Sequence, residues 1–509
     1  MRRLLLRNAM STFGAGLLPA AAMLVTLPFI VRLLGTELYG VLTLVMAITG
    51  YFAVIDINVT AGSTKYLAEF HAKGDIESSH QVVVLGALFY GALGVLGALL
   101  IFIGAPTLVD WLMKSDAQHR AVAEQALRWA ALGFLFGQMQ SYFNSVPQAL
   151  QRYDISARLE AFFGVAIPLG SVLVLVAGFG IIEVVILRVV CSGLHAGLLF
   201  VQVHRLLPGL RWTLPRRPVV SQIASFSAFS YLSRLAAMSH AHADKLIVGS
   251  LLGMTALAYY TVGAQIVGRV IGLTWRLSSV FFPAASAMQA RAETAQLRQL
   301  YLEASRYITL LNGGAILLIC LFGREILHYW IGPAFAEHAF YVMVFFAVAM
   351  FIDSLTSLPS LINDGLGHPR LTGTFAVSRA ILTIVLTFIL ASNFSLEWVA
   401  LGGTIAAAVL GFGFLVMVHG RTVPVSLSEL FRVAYLRPFV LMLATAVLVL
   451  AVRPAGVMSL GATVGFASLV CGFGAALAVT FVLLPADRDR LLSLLRAKFS
   501  FFFRVAEEK

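Results

Sequence analysis

Apolar runs of about 20 residues, separated by short polar connections, follow one another along the whole chain. A helix of that length spans the hydrocarbon core of a bilayer at 1.5 Å per residue, about 30 Å in all. Windows of this kind predict about fourteen membrane-spanning helices, near residues 9–31, 39–60, 81–104, 122–146, 159–179, 181–203, 223–250, 257–282, 305–329, 338–362, 372–392, 398–419, 437–453 and 457–484. The first window follows Arg2, Arg3 and Arg7 like a targeting signal, but it stays apolar through Ile30 and is expected to be a retained helix. Two polar, helix-compatible stretches, 62–80 and 284–304, are expected to be solvated connections, with interfacial helices as the alternative.

Composition agrees with an all-α, polytopic membrane protein. Of the 509 residues 60% are hydrophobic and only 12% charged, far from the balance of a soluble domain. Cys191, Cys320 and Cys471 lie singly in apolar stretches, without the spacing of a disulfide framework or a zinc site, and are expected to be small buried hydrophobes. His240 and His242, two apart on a helix, point to different faces and do not make a metal pair.

The net charge of +12 is explained by where the basic residues fall. With the N-terminus inside, Arg2, Arg3, Arg7, Lys65, Lys73, Arg152, Arg158, Arg205, Arg211, Arg216, Arg217 and most other loop cations lie on the cytoplasmic side. The opposite loops hold Arg32, Lys114, Arg120, Arg324 and Arg453. This asymmetry predicts cytoplasmic termini and needs no nucleic-acid partner. No connection is long enough for a folded soluble domain, so neither an ATP-binding cassette nor a large external catalytic domain is expected; the chain reads as a transporter rather than an enzyme, without a cofactor or a metal.

The Pro- and Arg-rich stretch 204–222 is the clearest linker. Leu33-Leu34-Gly35 with Tyr39, and Leu251-Leu252-Gly253 with Tyr259, stand about 220 residues apart on either side of it. Repeats of this size suggest two six-helix halves that rock about a central site. The expected division is 1–215, 216–425 and a C-terminal part 426–509 with two further helices and a basic tail.

Arg234, Lys245, Arg269 and Arg276 lie within the seventh and eighth spans. A charge at the bilayer centre costs about 2.5–3.5 kcal/mol on insertion scales, so such residues face a bundle interior or a watery cavity. No carboxylate stands within one turn of Arg234 or Arg269, and the four are expected to form a cationic ladder suited to a phosphate-bearing substrate. Lys245 has a competing reading as the ion-pair partner of Asp244. Asp56, Asp353 and Asp364 are candidates for ion coupling or for ion pairs, and Arg188 and Arg379 are expected to pair with Glu183, Asp353 or Asp364 or to anchor span ends.

Several short segments resemble polysaccharide flippases of the Wzx type, in the multidrug, oligosaccharidyl-lipid and polysaccharide exporter superfamily. They are Asn8, Pro28 and the run Phe29 to Gly40; Leu150-Gln151-Arg152-Tyr153-Asp154; Phe282-Pro283; and Gly365-Leu366-Gly367-His368-Pro369-Arg370. The second span departs from the family pattern: it closes on Asp56-Ile57-Asn58 where Asp-Leu-Gly is frequent, which puts the role of that glycine in question. The resemblance implies two six-helix lobes, two extra C-terminal helices, alternating access in a bacterial inner membrane, and an oligosaccharide carried on a polyprenyl diphosphate. Membrane lipids, a polysaccharide polymerase and other assembly proteins are the partners it implies. A cation-coupled exporter of small molecules is the alternative, though it would favour an acidic cavity; a membrane glycosyltransferase or polymerase would need paired acidic residues and a sizeable outer loop, neither of which is present.

Overall fold

The computed structural model describes residues 2–113, 117–278, 293–454 and 456–485, with 288, 291, 487–489 and 493; the side chains of 2–15, 225–226, 228–230, 232–241 and 273–278 are outside the description. The described residues form helices and turns, without a strand. In chain order the helices are α1 Arg2–Leu34, α2 Thr36–Phe52, α3 Val59–Ala72, α4 Ile76–Leu112, α5 Ala117–Ala149, α6 Tyr153–Val176, α7 Ile181–Leu206, α8 Arg217–Leu252, α9 Met254–Ser278, α10 Thr294–Trp330, α11 Pro333–His338, α12 Phe340–Gly365, α13 Pro369–Asn393, α14 Leu396–Arg421, α15 Leu427–Val452 and α16 Leu460–Val482.

Eleven of these are long and apolar enough, over their described residues, to cross a membrane. The three other expected spans coincide with α5, α8 and α9, which are 33, 36 and 25 residues long. The protein is an all-α, multi-pass membrane protein. α4 and α10, at 37 residues each, extend to about 55 Å and project beyond the hydrocarbon layer.

The packing repeats. α4 lies on α5, α5 on α7, α1 on α6 and α2 on α5; six spans later α10 lies on α12, α12 on α14, α8 on α13 and α9 on α12. The sequence repeat has a conformational counterpart. Gly35, between α1 and α2, has φ 81° and ψ 161°, and Gly253, between α8 and α9, has φ 91° and ψ 175°. That region is open essentially to glycine alone, so both hairpins turn on the same backbone device.

Two expectations are revised. Residues 62–80 do not form a plain solvated connection: α3 buries Val59, Gly62, Ser63 and Leu67 against α4, α5 and α8, and α4 starts at Ile76 behind an Asp75 cap. Its exposed face pairs Lys73 with Glu69 at 2.6 Å, the contact that holds the Glu69 carboxyl below its ordinary range. The departure at Asn58 leaves the turn intact, because Asn58 adopts φ 62° and ψ 40°, a left-handed conformation that asparagine tolerates better than most residues. The stretch 284–304 is described only from residue 293 on, apart from 288 and 291; α10 begins at Thr294.

The two sets of spans meet where α1, α2, α3 and α4 pack on α8 and α9. Their contacts are tight at the end that carries the α1–α2 and α8–α9 turns. A Cβ on Gly40 would lie 2.0 Å from the Met254 carbonyl oxygen, so only glycine permits this approach. Arg32 at the end of α1 donates to the carbonyls of Ile331 (2.8 Å) and Trp330 (3.1 Å), capping the C-terminus of α10 with charge that suits the helix dipole. The Trp330 indole donates to the Leu24 carbonyl at 3.0 Å. α15 is fixed to α10 at the same end by Arg453, which pairs at 2.5 Å with the fully buried Glu325.

Candidate functional site

Beneath that closed end lies a cavity of about 440 Å³, walled by α1, α2, α6, α7, α8 and α9. This is within the usual size of ligand sites. Two prolines stand in its wall, Pro19 within α1 and Pro168 within α6, where each lacks a backbone donor. The two helices come together at Gly164, whose Cβ would sit 2.6 Å from the Pro19 ring.

The apolar wall includes Met23, Leu27, Ile30, Leu42 and Phe163; Thr26, Tyr39, Thr43, Thr261 and Gln265 supply neutral polar groups. Gln265 on α9 donates to the Tyr39 hydroxyl on α2 at 3.3 Å, a polar bridge across the two halves. The fully charged side chains on the lining are Arg188, Lys245 and Arg269, and no carboxylate lines it among the described residues.

Each cation arrives on a different helix. Lys245 stands seven residues before the end of α8 and Arg188 seven after the start of α7, so both lie about 10 Å below the closed end. Arg269, fifteen residues into α9, lies about 12 Å deeper than these two. It is exposed to the cavity, with its Nη2 2.8 Å from the Met23 sulfur. Arg188 is half-buried, and its Nε has no hydrogen-bond partner among the described residues. The two guanidinium groups offer the planar fork that phosphate oxygens accept.

Of the expected cationic ladder, Lys245 and Arg269 therefore line the cavity, while the side chains of Arg234 and Arg276 lie outside the described residues, as does His240. Lys245 faces the cavity, and its ammonium also stands 3.6 Å from Asp244. Arg188 joins the lining instead of pairing with Glu183, whose carboxylate caps the N–H of Gly180 at 2.8 Å. The absence of a carboxylate within one turn, the criterion that singled out Arg234 and Arg269, holds for Arg188 as well.

The acidic candidates lie elsewhere. Asp56 is fully buried beside the α2–α3 break, where Oδ1 accepts from the Tyr90 hydroxyl and the Asn58 N–H, both at 2.8 Å. Asp353 pairs with Arg379 at 3.4 Å, and the arginine also donates to Thr383 at 2.5 Å. Asp364 is in the last turn of α12, where its carbonyl accepts from Gly367 at 3.0 Å. None of the three lines the cavity. Cys191 is buried as expected, Cys320 only partly so, and Cys471 is exposed on α16 on a face of lipid-compatible residues.

A helical bundle of two repeated halves around a central cationic cavity defines a membrane transporter. Residues 29–340 match the sequence profile of the family described as polysaccharide biosynthesis protein, and the chain belongs to that family. A Shigella flexneri protein assigned as an O-antigen transporter is 18% identical over 410 residues, covering 79% of this chain and 94% of its own. Among solved structures, the lipid II flippase MurJ in its inward closed conformation aligns with a TM-score of 0.71 at 13% identity, over 93% of this chain and 98% of MurJ. An inward-facing multidrug resistance transporter of the MATE family aligns with a TM-score of 0.65 at 14% identity, over 82% and 93% of the two chains. These likenesses establish the shared fold.

Proposed function

We propose that this protein translocates a polyprenyl-diphosphate-linked oligosaccharide across the bacterial cytoplasmic membrane by alternating access, for the synthesis of a surface polysaccharide such as O-antigen, capsule or exopolysaccharide. The observation that carries this reading is the cavity lined by Arg188, Lys245 and Arg269 without a lining carboxylate among the described residues. An anionic diphosphate complements it, and a cationic drug does not. Family membership and the likeness to an O-antigen transporter support a lipid-linked sugar as cargo.

The recurrent packing supports two lobes, 1–215 and 216–425, that rock about α1, α2, α8 and α9, with 426–509 supplying two further helices and a tail. The side occupied by the α1–α2 and α8–α9 turns is then the outer one, both termini are cytoplasmic, and the closed end corresponds to a carrier shut toward the outside. Asp353 with Arg379 is held as an ion pair, and Asp56 as a buried acid within the first lobe, in keeping with roles in packing or ion coupling rather than substrate contact.

Deletion of the gene is expected to remove the surface polymer and to accumulate its lipid-linked repeat unit on the cytoplasmic face, with both effects reversed by the wild-type chain. Undiminished polymer with no accumulated glycolipid would overturn the proposal, and a selective gain in sensitivity to small cations would favour the exporter alternative.

A further inference from the structure

Asp244 directly precedes the cavity residue Lys245 on α8 without lining the cavity itself, and its two carboxylate oxygens are engaged unequally. Oδ1 accepts from the backbone N–H of Lys245 at 2.8 Å, and Oδ2 accepts from the Tyr260 hydroxyl at 2.9 Å. The Lys245 ammonium stands 3.6 Å from Oδ1, an electrostatic contact too long for a hydrogen bond. Tyr260 is buried, and its ring packs edge-on against Phe346 at 4.8 Å, so this donor is fixed in place. The carboxylate thus keeps both fixed hydrogen bonds if the ammonium leaves. The lysine is the movable member: it has a long flexible stem, and its side chain is 22% exposed at the cavity wall.

We infer that Asp244 is a built-in counter-ion that holds Lys245 in the empty carrier and yields it to the substrate's diphosphate, so that the anion enters by exchanging one partner of the ammonium for another. This rests on the proposed anionic cargo and assigns a specific positioning role at the same site. The exchange tempers affinity. An empty cavity with an unmatched ammonium would hold a diphosphate too firmly to release it, whereas a resident carboxylate competes for the ammonium and speeds departure. Tyr260 keeps the displaced carboxylate satisfied during loading, when an unsupported buried charge would otherwise resist the exchange.

The test is a double-mutant cycle on purified, detergent-solubilised protein, with inorganic pyrophosphate as the probe and titration calorimetry as the readout. Asp244→Asn preserves shape and removes the competing charge, and is expected to tighten pyrophosphate binding roughly threefold to tenfold, the lower part of the range for coupled neighbours. In a Lys245→Gln background the same change is expected to have no effect. Tyr260→Phe is expected to act in the opposite direction, weakening binding, because a carboxylate with one fewer fixed donor turns toward Lys245. Equal tightening in both backgrounds would make Asp244 a general source of negative potential and overturn the inference, as would weaker binding in Asp244→Asn. Those results leave the cationic cavity intact, whereas pyrophosphate that does not bind the wild type at all would remove the inference and the proposed cargo together.

Discussion

Arg269→Glu is expected to abolish export of the surface polymer while the protein still inserts and accumulates in the membrane. Arg269 lies furthest from the closed end of the three cavity cations and is exposed to the cavity, so a reversal of its charge sets like charge directly against the anion. Arg269→Ala should fall short of that but still lose tenfold or more, since a charge-assisted contact contributes about 1.5–3 kcal/mol. Arg269→Lys should retain part of the activity, keeping the charge and losing the bidentate fork. Arg188→Ala should resemble Arg269→Ala. Surface polymer in a deletion strain, normalised to membrane-inserted protein, orders the series; full export by the glutamate variant would take Arg269 off the substrate path.

Gly40→Val should be as damaging, though it touches no charge. The added Cβ would meet the backbone oxygen of Met254 at 2.0 Å, and a backbone atom cannot swing aside as a side-chain tip can. The halves must therefore part at the end where Arg32 caps α10. Overpacking of this kind costs about 1–3 kcal/mol. Applied to one of two carrier states, it shifts their ratio about 5- to 150-fold. Spin labels at Leu33 and Tyr329, both exposed at that end, should report longer distances in the variant than in the wild type, with export reduced in proportion. Unchanged distances together with full export would show that this contact does not take part in closing.

The spans were legible in the sequence because hydropathy over a bilayer's thickness is a local property, and each of the fourteen expected windows coincides with a long helix. Properties that arise between helices were harder to read. From sequence Arg188 is equally a partner for Glu183, Asp353 or Asp364 or a span-end anchor, yet Glu183 is consumed in capping α7 and Asp353 in pairing with Arg379. Its place in the cavity depends on which face of α7 turns toward α1 and α2, and no local pattern specifies that. Asn58 seemed a lost glycine, but the requirement was a left-handed backbone, which asparagine also meets. The approach of Gly40 to Met254 joins residues more than 200 positions apart and leaves no trace in either segment alone. The Leu-Leu-Gly repeat, by contrast, was visible because an identical turn conformation demands an identical residue.

The central claim is that the cavity carries a diphosphate-linked glycan from one leaflet to the other. Its most direct test uses proteoliposomes with the purified protein, a short-chain polyprenyl-diphosphate oligosaccharide in the inner leaflet, and an imposed ion gradient and membrane potential. A membrane-impermeant glycan-binding protein outside reports arrival of the sugar. The wild type is expected to expose the glycan steadily, well above protein-free liposomes, and the Arg188→Gln, Arg269→Ala double variant is expected to fall to the protein-free rate. Exposure by the wild type no faster than in protein-free liposomes, or exposure undiminished in the double variant, would contradict the claim.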